Sequence, residues 1–211
     1  MKNSQTQKIF LAIMAVLSLI ALIIKLYFSI LHKHIAVTES VIRYFSYFTI
    51  QGNILVTVCA GCLLFSPKSR WGLFFFRSGV RSALTVYILI VGLVYNVALR
   101  HLDHLHGAER FANEILHVAI PILFLVYWIV YVPKKQLNWN VFPWLIYPLI
   151  YGICTLIRGA FADYYPYPFL NVIKIGYPAV MLNFGVLLIL FLGFSLLLVA
   201  IAKLFAKRVI E

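Results

Sequence analysis

Six stretches of about 20 mostly apolar residues, each long enough to cross the hydrocarbon core of a bilayer as a helix, leave this chain little choice but a membrane bundle. They cover 9–31, 42–65, 82–99, 113–132, 141–157 and 179–204. The connections between them are short, so residues 1–211 read as one all-α integral membrane domain of six transmembrane helices, with no room for a soluble domain. Only 11% of the residues are charged and 64% are hydrophobic, whereas a soluble domain carries about 25% charged residues. The first stretch follows Lys2 and Lys8, and no small-x-small cleavage pattern comes after it. It reads as a retained span and not as a signal peptide. The fifth holds Pro143 and Pro148, and Pro148 is expected to kink it.

A net charge of +12 suits nucleic acid binding in a soluble protein. Here the Lys and Arg residues form short caps between apolar stretches, which is the distribution of orientation signals and headgroup contacts. Membrane lipids are therefore the expected partners, and nucleic acid is not. Eleven of these residues (Lys2, Lys8; Lys68, Arg70, Arg77, Arg81; Lys134, Lys135; Lys203, Lys207, Arg208) fall in the two tails and the even loops. Six (Lys33, Arg43; Arg100, Arg110; Arg158, Lys174) fall in the odd loops, and Lys25 lies within the first span. The bias places both termini in the cytoplasm and the odd loops outside. These outer loops hold every histidine but His117 and every acidic residue but Glu114 and Glu211.

Cys59 and Cys62 form a C-x-x-C inside an apolar stretch, and Cys154 lies in another. Redox chemistry needs a thiolate, and a thiol in hydrocarbon stays protonated, so these cysteines read as packing. In the third loop His101, Asp103, His104 and His106 carry metal-ligand chemistry, but their spacing matches no strong metal motif. They read as a solvated loop, and no metal or cofactor is expected. A second histidine within a span, which a haem site would want, is missing.

Polar side chains inside the apolar stretches are more informative. Thr49 follows Arg43 by six residues, about 9 Å of helix rise, and Asn53 is one turn deeper. His117 follows Arg110 by seven residues, about 10 Å by the same rise, with Asn113 and Glu114 on its face. Asn96 precedes Arg100 by one turn, Arg158 ends the fifth stretch, and Asn183 lies one turn into the sixth. Five helices thus bring polar groups to the same outward third of the membrane. Ser, Thr and Asn also bond between helices as modest glue, about 0.6 kcal/mol each, but an intramembrane histidine marks function. A hydroxyl and an imidazole at one depth suggest nucleophilic catalysis, with His117 as base and Thr49 as nucleophile. Asn53, Asn96 or Asn183 are candidate oxyanion donors, and Arg158 a bidentate carboxylate binder. Glu114 could orient His117 or face the headgroups. The fifth loop, with Tyr164, Tyr165, Pro166, Tyr167, Pro168 and Phe169, is either an interfacial aromatic belt or a lid over a lipid-binding cleft.

At these residues the chain resembles the androgen-induced gene family of membrane proteins, which includes the androgen-dependent regulator of tissue factor pathway inhibitor, and looks like a bacterial-type relative of it. Three patches carry the resemblance. They are Tyr47-Phe48-Thr49-Ile50-Gln51-Gly52-Asn53, Asn113-Glu114-Ile115-Leu116-His117 with Pro121, and Tyr167-Pro168-Phe169-Leu170 with Asn183 beyond. The resemblance implies a multipass hydrolase of fatty acid esters of hydroxy fatty acids, with Thr49 and His117 in the catalytic positions and a location in a bacterial cytoplasmic membrane. Arg158 has no counterpart in the animal members. The expectation is a lipid-ester hydrolase with Thr49 and His117 as catalytic pair and Asn53, Asn96, Asn113, Arg158, Tyr167 and Asn183 around an amphiphilic ester. The alternative is a transporter or lipid-binding protein that recognises an anionic amphiphile at Arg158. The orientation has a direct check. Reporter fusions after Ser69 and Lys135 are expected to read cytoplasmic and a fusion after Gly107 external. A cytoplasmic signal at Gly107 reverses the orientation.

Overall fold

A helix that faces lipid needs no polar stripe, and six helices here are long and apolar enough to cross a membrane. The computed structural model describes residues 4–31 and 35–208. Lys2, His32, Lys33, His34 and Glu211, which enter the loop-charge reading, lie outside the described residues, as do the side chains of Lys207 and Arg208. The chain begins with α1 (Gln5–Leu31), the short α2 (Val37–Phe45) and the spanning α3 (Phe48–Phe65). A short α4 (Arg70–Phe76) leads into α5 (Ser78–Val94), which continues through a π-helical turn, Tyr95–Leu99, to complete one span. The next span joins α6 (Gly107–Glu114) to α7 (Ile120–Tyr131) through a second π turn, Ile115–Ala119. Then come α8 (Phe142–Ala162) and α9 (Val172–Arg208). No strand occurs among the described residues.

α5 sits at the centre, packed by α3, α7 and α9. Its residues Ser82, Ala83, Leu84, Thr85, Val86, Tyr87 and Ile88 are all buried, so this stretch has no lipid face. α1 lies along α3 and α6, and α8 is peripheral, held on α9. With six spans, both described ends of the chain lie at one end of the bundle. The α2 segment, the α5–α6 loop and the α8–α9 loop lie at the other, here termed the distal end.

Several boundaries differ from those expected. Residues 42–65 are not one helix. The Ser46 hydroxyl donates back to the Ile42 carbonyl at 2.7 Å, Tyr47 is extended (φ −79°, ψ 129°), and α3 starts afresh at Phe48. A local side-chain bond of this kind competes with the helical ladder. α2 is instead pinned to α1, because the Tyr44 hydroxyl donates to the Leu22 carbonyl at 2.8 Å. Arg81, counted with the second loop, is inside α5 and 1% exposed. It donates to the Phe76 carbonyl at 2.6 Å and to the Tyr127 hydroxyl at 3.2 Å. The fourth span starts at Gly107 and not at residue 113. α8 runs on through Pro148 to Ala162. α9 starts at Val172 and is interrupted at Gly176, whose φ of 76° favours glycine.

Gly92 has a packing role. A Cβ there would lie 2.9 Å from the His117 carbonyl oxygen and 3.2 Å from the Pro121 ring. Neither neighbour is a flexible side-chain end, so α5 and the π turn can meet only over a glycine. Gly92→Ala is expected to cost about 1–3 kcal/mol, the usual range for overpacking, and to lower the melting temperature in detergent. An unchanged melting temperature would show that the two helices separate freely.

Candidate active site

Two interruptions of helical hydrogen bonding build the site. The first is the break before α3. It puts Thr49 in the first turn of a helix, where amides have no acceptor within the helix. The Thr49 amide donates instead to the Tyr167 hydroxyl at 3.2 Å. The second interruption is the π turn around His117. The Ile120 amide donates to the Ile115 carbonyl, one residue further back than in an α-helix, and Pro121 has no amide hydrogen. The Leu116 and His117 carbonyls thereby lose their helical donors. Asn53 Nδ2 supplies the first at 3.3 Å and Asn96 Nδ2 the second at 3.4 Å.

Between these interruptions Thr49 Oγ1 lies 3.2 Å from His117 Nε2. His117 Nδ1 lies 2.9 Å from the Asn113 main-chain carbonyl. A carbonyl oxygen can only accept, so Nδ1 carries the proton of the neutral ring. Nε2 is then the lone pair that faces the threonine hydroxyl, the tautomer a general base needs. The Tyr95 ring stacks on His117 at 4.0 Å between centroids and 24° between planes, which fixes the ring plane. Thr49 and His117 are both buried.

The Tyr167 hydroxyl is 3.3 Å from Thr49 Oγ1. Burial pushes its phenol up to about 12, partly offset by the hydrogen bonds from Thr49. Tyr167 therefore keeps its proton at neutral pH and remains a donor beside the threonine oxygen. Its ring is held edge-on by Tyr47 and stacked on Phe169.

Two cavities meet at Thr49. One, of about 390 Å³, is the more polar of the two: Lys25, Glu109, Asp103, Asn113 and His117 reach it between apolar walls such as Ile50 and Leu116, with Pro166, Tyr167 and Pro168 of the aromatic loop on one side. The other, of about 60 Å³, is a narrow apolar slot whose lining includes Val91, Val94, Phe184, Leu187 and Phe191. Thr49, Tyr95, Leu99 and Tyr167 border both. Lys25 Nζ pairs with Glu109 Oε1 at 3.1 Å across the polar chamber.

The structure thus brings Thr49, His117, Asn113 and Tyr167 together. The other expected substrate contacts stand elsewhere. Asn53, Asn96 and Asn183 line neither cavity, and their amides donate to main-chain carbonyls, Asn183 to Phe169 at 2.9 Å. Asn53 and Asn96 spend both amide hydrogens on these carbonyls and Asn183 spends one, so all three brace the backbone. Arg158 also lines neither cavity and pairs with Glu39 at 3.2 Å. Glu114 does not orient His117. It pairs with Arg100 at 2.7 Å, and the main-chain carbonyl of Asn113 takes the orienting position. Lys25 and Tyr95 are the residues that sequence reasoning left without a role. Lys25 carried a signal, as a cation within the first apolar stretch, and Tyr95 carried none.

His101, His104 and His106 are exposed, and among the described residues no group of three His, Cys, Asp or Glu side chains could hold a metal ion. Cys59, Cys62 and Cys154 are free thiols. No protein-family model, curated protein or solved structure matches this chain.

Proposed function

We propose that this protein is a multipass membrane hydrolase that cleaves lipid esters, with Thr49 as nucleophile and His117 as general base, in a cavity open to the external face of a bacterial cytoplasmic membrane. What carries the reading is the 3.2 Å contact between Thr49 Oγ1 and His117 Nε2 together with the Asn113 carbonyl on Nδ1. A threonine hydroxyl is a weak nucleophile until a base takes its proton, and this arrangement presents the base in the required tautomer.

The chemistry closes on these groups. His117 Nε2 takes the Thr49 proton as Oγ1 adds to the ester carbonyl. The tetrahedral oxyanion accepts from Tyr167, whose proton is at hand, aided by the positive end of the α3 helix dipole. The bond to the leaving oxygen breaks, and His117 returns the proton to that oxygen to release the alcohol. Water then enters the polar chamber, loses a proton to His117 and adds to the acyl-threonine carbonyl. Collapse frees the acid, and His117 hands the proton back to Thr49. The first carbons of the acyl chain enter the apolar slot and the leaving alcohol lies in the polar chamber, since the two meet at Thr49. Fatty acid esters of hydroxy fatty acids are the substrate class that the resemblance implies. A transporter needs a polar route onward; towards the other end of the bundle the buried polar groups Gln7, Ser18, Ser82 and Thr85 are bonded to protein groups, among the apolar Met14, Val56, Leu63, Ile88 and Phe124.

Purified protein in detergent is expected to hydrolyse a long-chain aryl ester and a branched fatty acid ester. Thr49→Ala and His117→Ala each abolish turnover and leave the melting temperature nearly unchanged, Thr49→Ser keeps part of it, and the double variant is no worse than either single one. Tyr167→Phe lowers kcat by about 10²-fold, the scale of one lost oxyanion donor. Glu114→Gln leaves kcat within about twofold, as expected for a surface-type ion pair. Full activity in Thr49→Ala refutes the nucleophile assignment.

A further inference from the structure

A third cavity, of about 350 Å³, opens between α2 and α8. Neither Thr49 nor His117 lines it, and Arg158 does. We infer that it binds the phosphate of an acidic membrane phospholipid, through Arg158 with Arg43 beside it, apart from the hydrolytic site.

Charge comes first. Arg43 Nε and Arg158 Nη2 both donate to one carboxylate oxygen, Glu39 Oε1, at 2.6 and 3.2 Å. Two cations share one anion, so the cluster keeps a net positive charge. Both guanidiniums also lie over the Tyr164 ring, at 4.2 and 5.2 Å from its centroid, which holds them side by side. Each guanidinium carries several N–H donors and gives one to Glu39. Arg158 Nη1 is shut off from water with no acceptor. A buried donor left unmet is costly, and a small shift that brings Nη1 to a phosphate oxygen removes that cost. Arginine's planar fork fits phosphate in a bidentate way, which an ammonium group does not.

Depth and walls select a lipid as the source of that phosphate. Arg158 stands four residues before the end of α8 at Ala162, about 6 Å by helix rise, the level at which a headgroup meets the acyl chains. Ser46 and Thr155 give the cavity polar points, while Ile42, Phe45 and Cys154 give it an apolar side. Ile42 and Phe45 are half-exposed, as is Ile157 next to Arg158, and they offer a path for the chains into the bilayer.

The test is native mass spectrometry of the full chain in detergent, titrated with phosphatidylglycerol and with phosphatidylcholine of the same chains. The wild type is expected to hold one phosphatidylglycerol roughly tenfold more tightly, because both lipids offer a phosphate but only phosphatidylcholine brings a choline cation up to the net positive cluster. Arg158→Gln removes the preference and Arg158→Lys keeps only part of it, while millimolar inorganic phosphate displaces no lipid. Equal affinity for the two lipids, or an undiminished preference in Arg158→Gln, overturns the site. Displacement by inorganic phosphate overturns the lipid as its ligand. If Arg158→Gln does not fold, Arg43→Gln decides. It leaves Arg158 on Glu39 and is expected to weaken the preference, and an unchanged preference counts against the site.

Discussion

Inside a bilayer every main-chain amide and carbonyl needs a partner, because no water is at hand to supply one. The helices of this bundle meet that demand internally over most of their length, and two of the places where they do not, both near the distal end, build the site. One is the start of α3, where the first amides are left over. The other is the π turn before Pro121, where two carbonyls are. The partners that make good these losses are Tyr167 for the Thr49 amide, Asn53 for the Leu116 carbonyl and Asn96 for the His117 carbonyl. Each of them ties a neighbouring segment to the place where the helix is broken. The hydroxyl and the imidazole are brought within hydrogen-bond reach by the same bonds that cover the exposed backbone. Gly92 completes the arrangement by letting α5 come up against the His117 carbonyl.

This explains which parts of the molecule could be read from the sequence. Apolar stretches of spanning length are a direct signal, and the six spans follow from them with boundaries off by several residues at the ends that carry polar groups. That Thr49 and His117 meet follows the expectation that they share one level, although the helix rise from Arg43 on which the depth of Thr49 was reckoned does not hold across the break. The break at Ser46–Tyr47 was not legible, because an apolar run gives the same periodic signal whether or not the helix restarts. The π turns were equally hidden, although Pro121 four residues after His117 marks a carbonyl without a donor. The amides of Asn53, Asn96 and Asn183 looked like reactive groups because sequence shows that a polar group is buried but not which acceptor it meets. Arg158 was read as part of the same cluster because depth alone cannot tell one side of an aromatic wall from the other.

The two cavities at Thr49 differ in a way that suits an amphiphile. The slot beneath Phe184, Leu187 and Phe191 is small and offers only contact with hydrocarbon. The chamber beside it holds a Lys25–Glu109 pair whose side chains are 21% and 14% exposed, so ions there face a partly hydrated space. In the proposed reading an ester lies across this boundary with its carbonyl beside Thr49, which borders both spaces together with Tyr95, Leu99 and Tyr167. In the proposed hydrolysis, water for the second half of the cycle enters from the chamber side.

The account stands or falls on whether Thr49 is a nucleophile and not merely a hydroxyl that braces Tyr167. A long-chain activated phosphonate ester reacts with a base-activated hydroxyl and stays attached to it. Incubated with the intact protein in detergent and mapped by peptide mass spectrometry, it is predicted to modify Thr49 stoichiometrically in the wild type and to leave His117→Ala unmodified. No adduct on Thr49, or an equal yield of adduct without His117, contradicts the central claim.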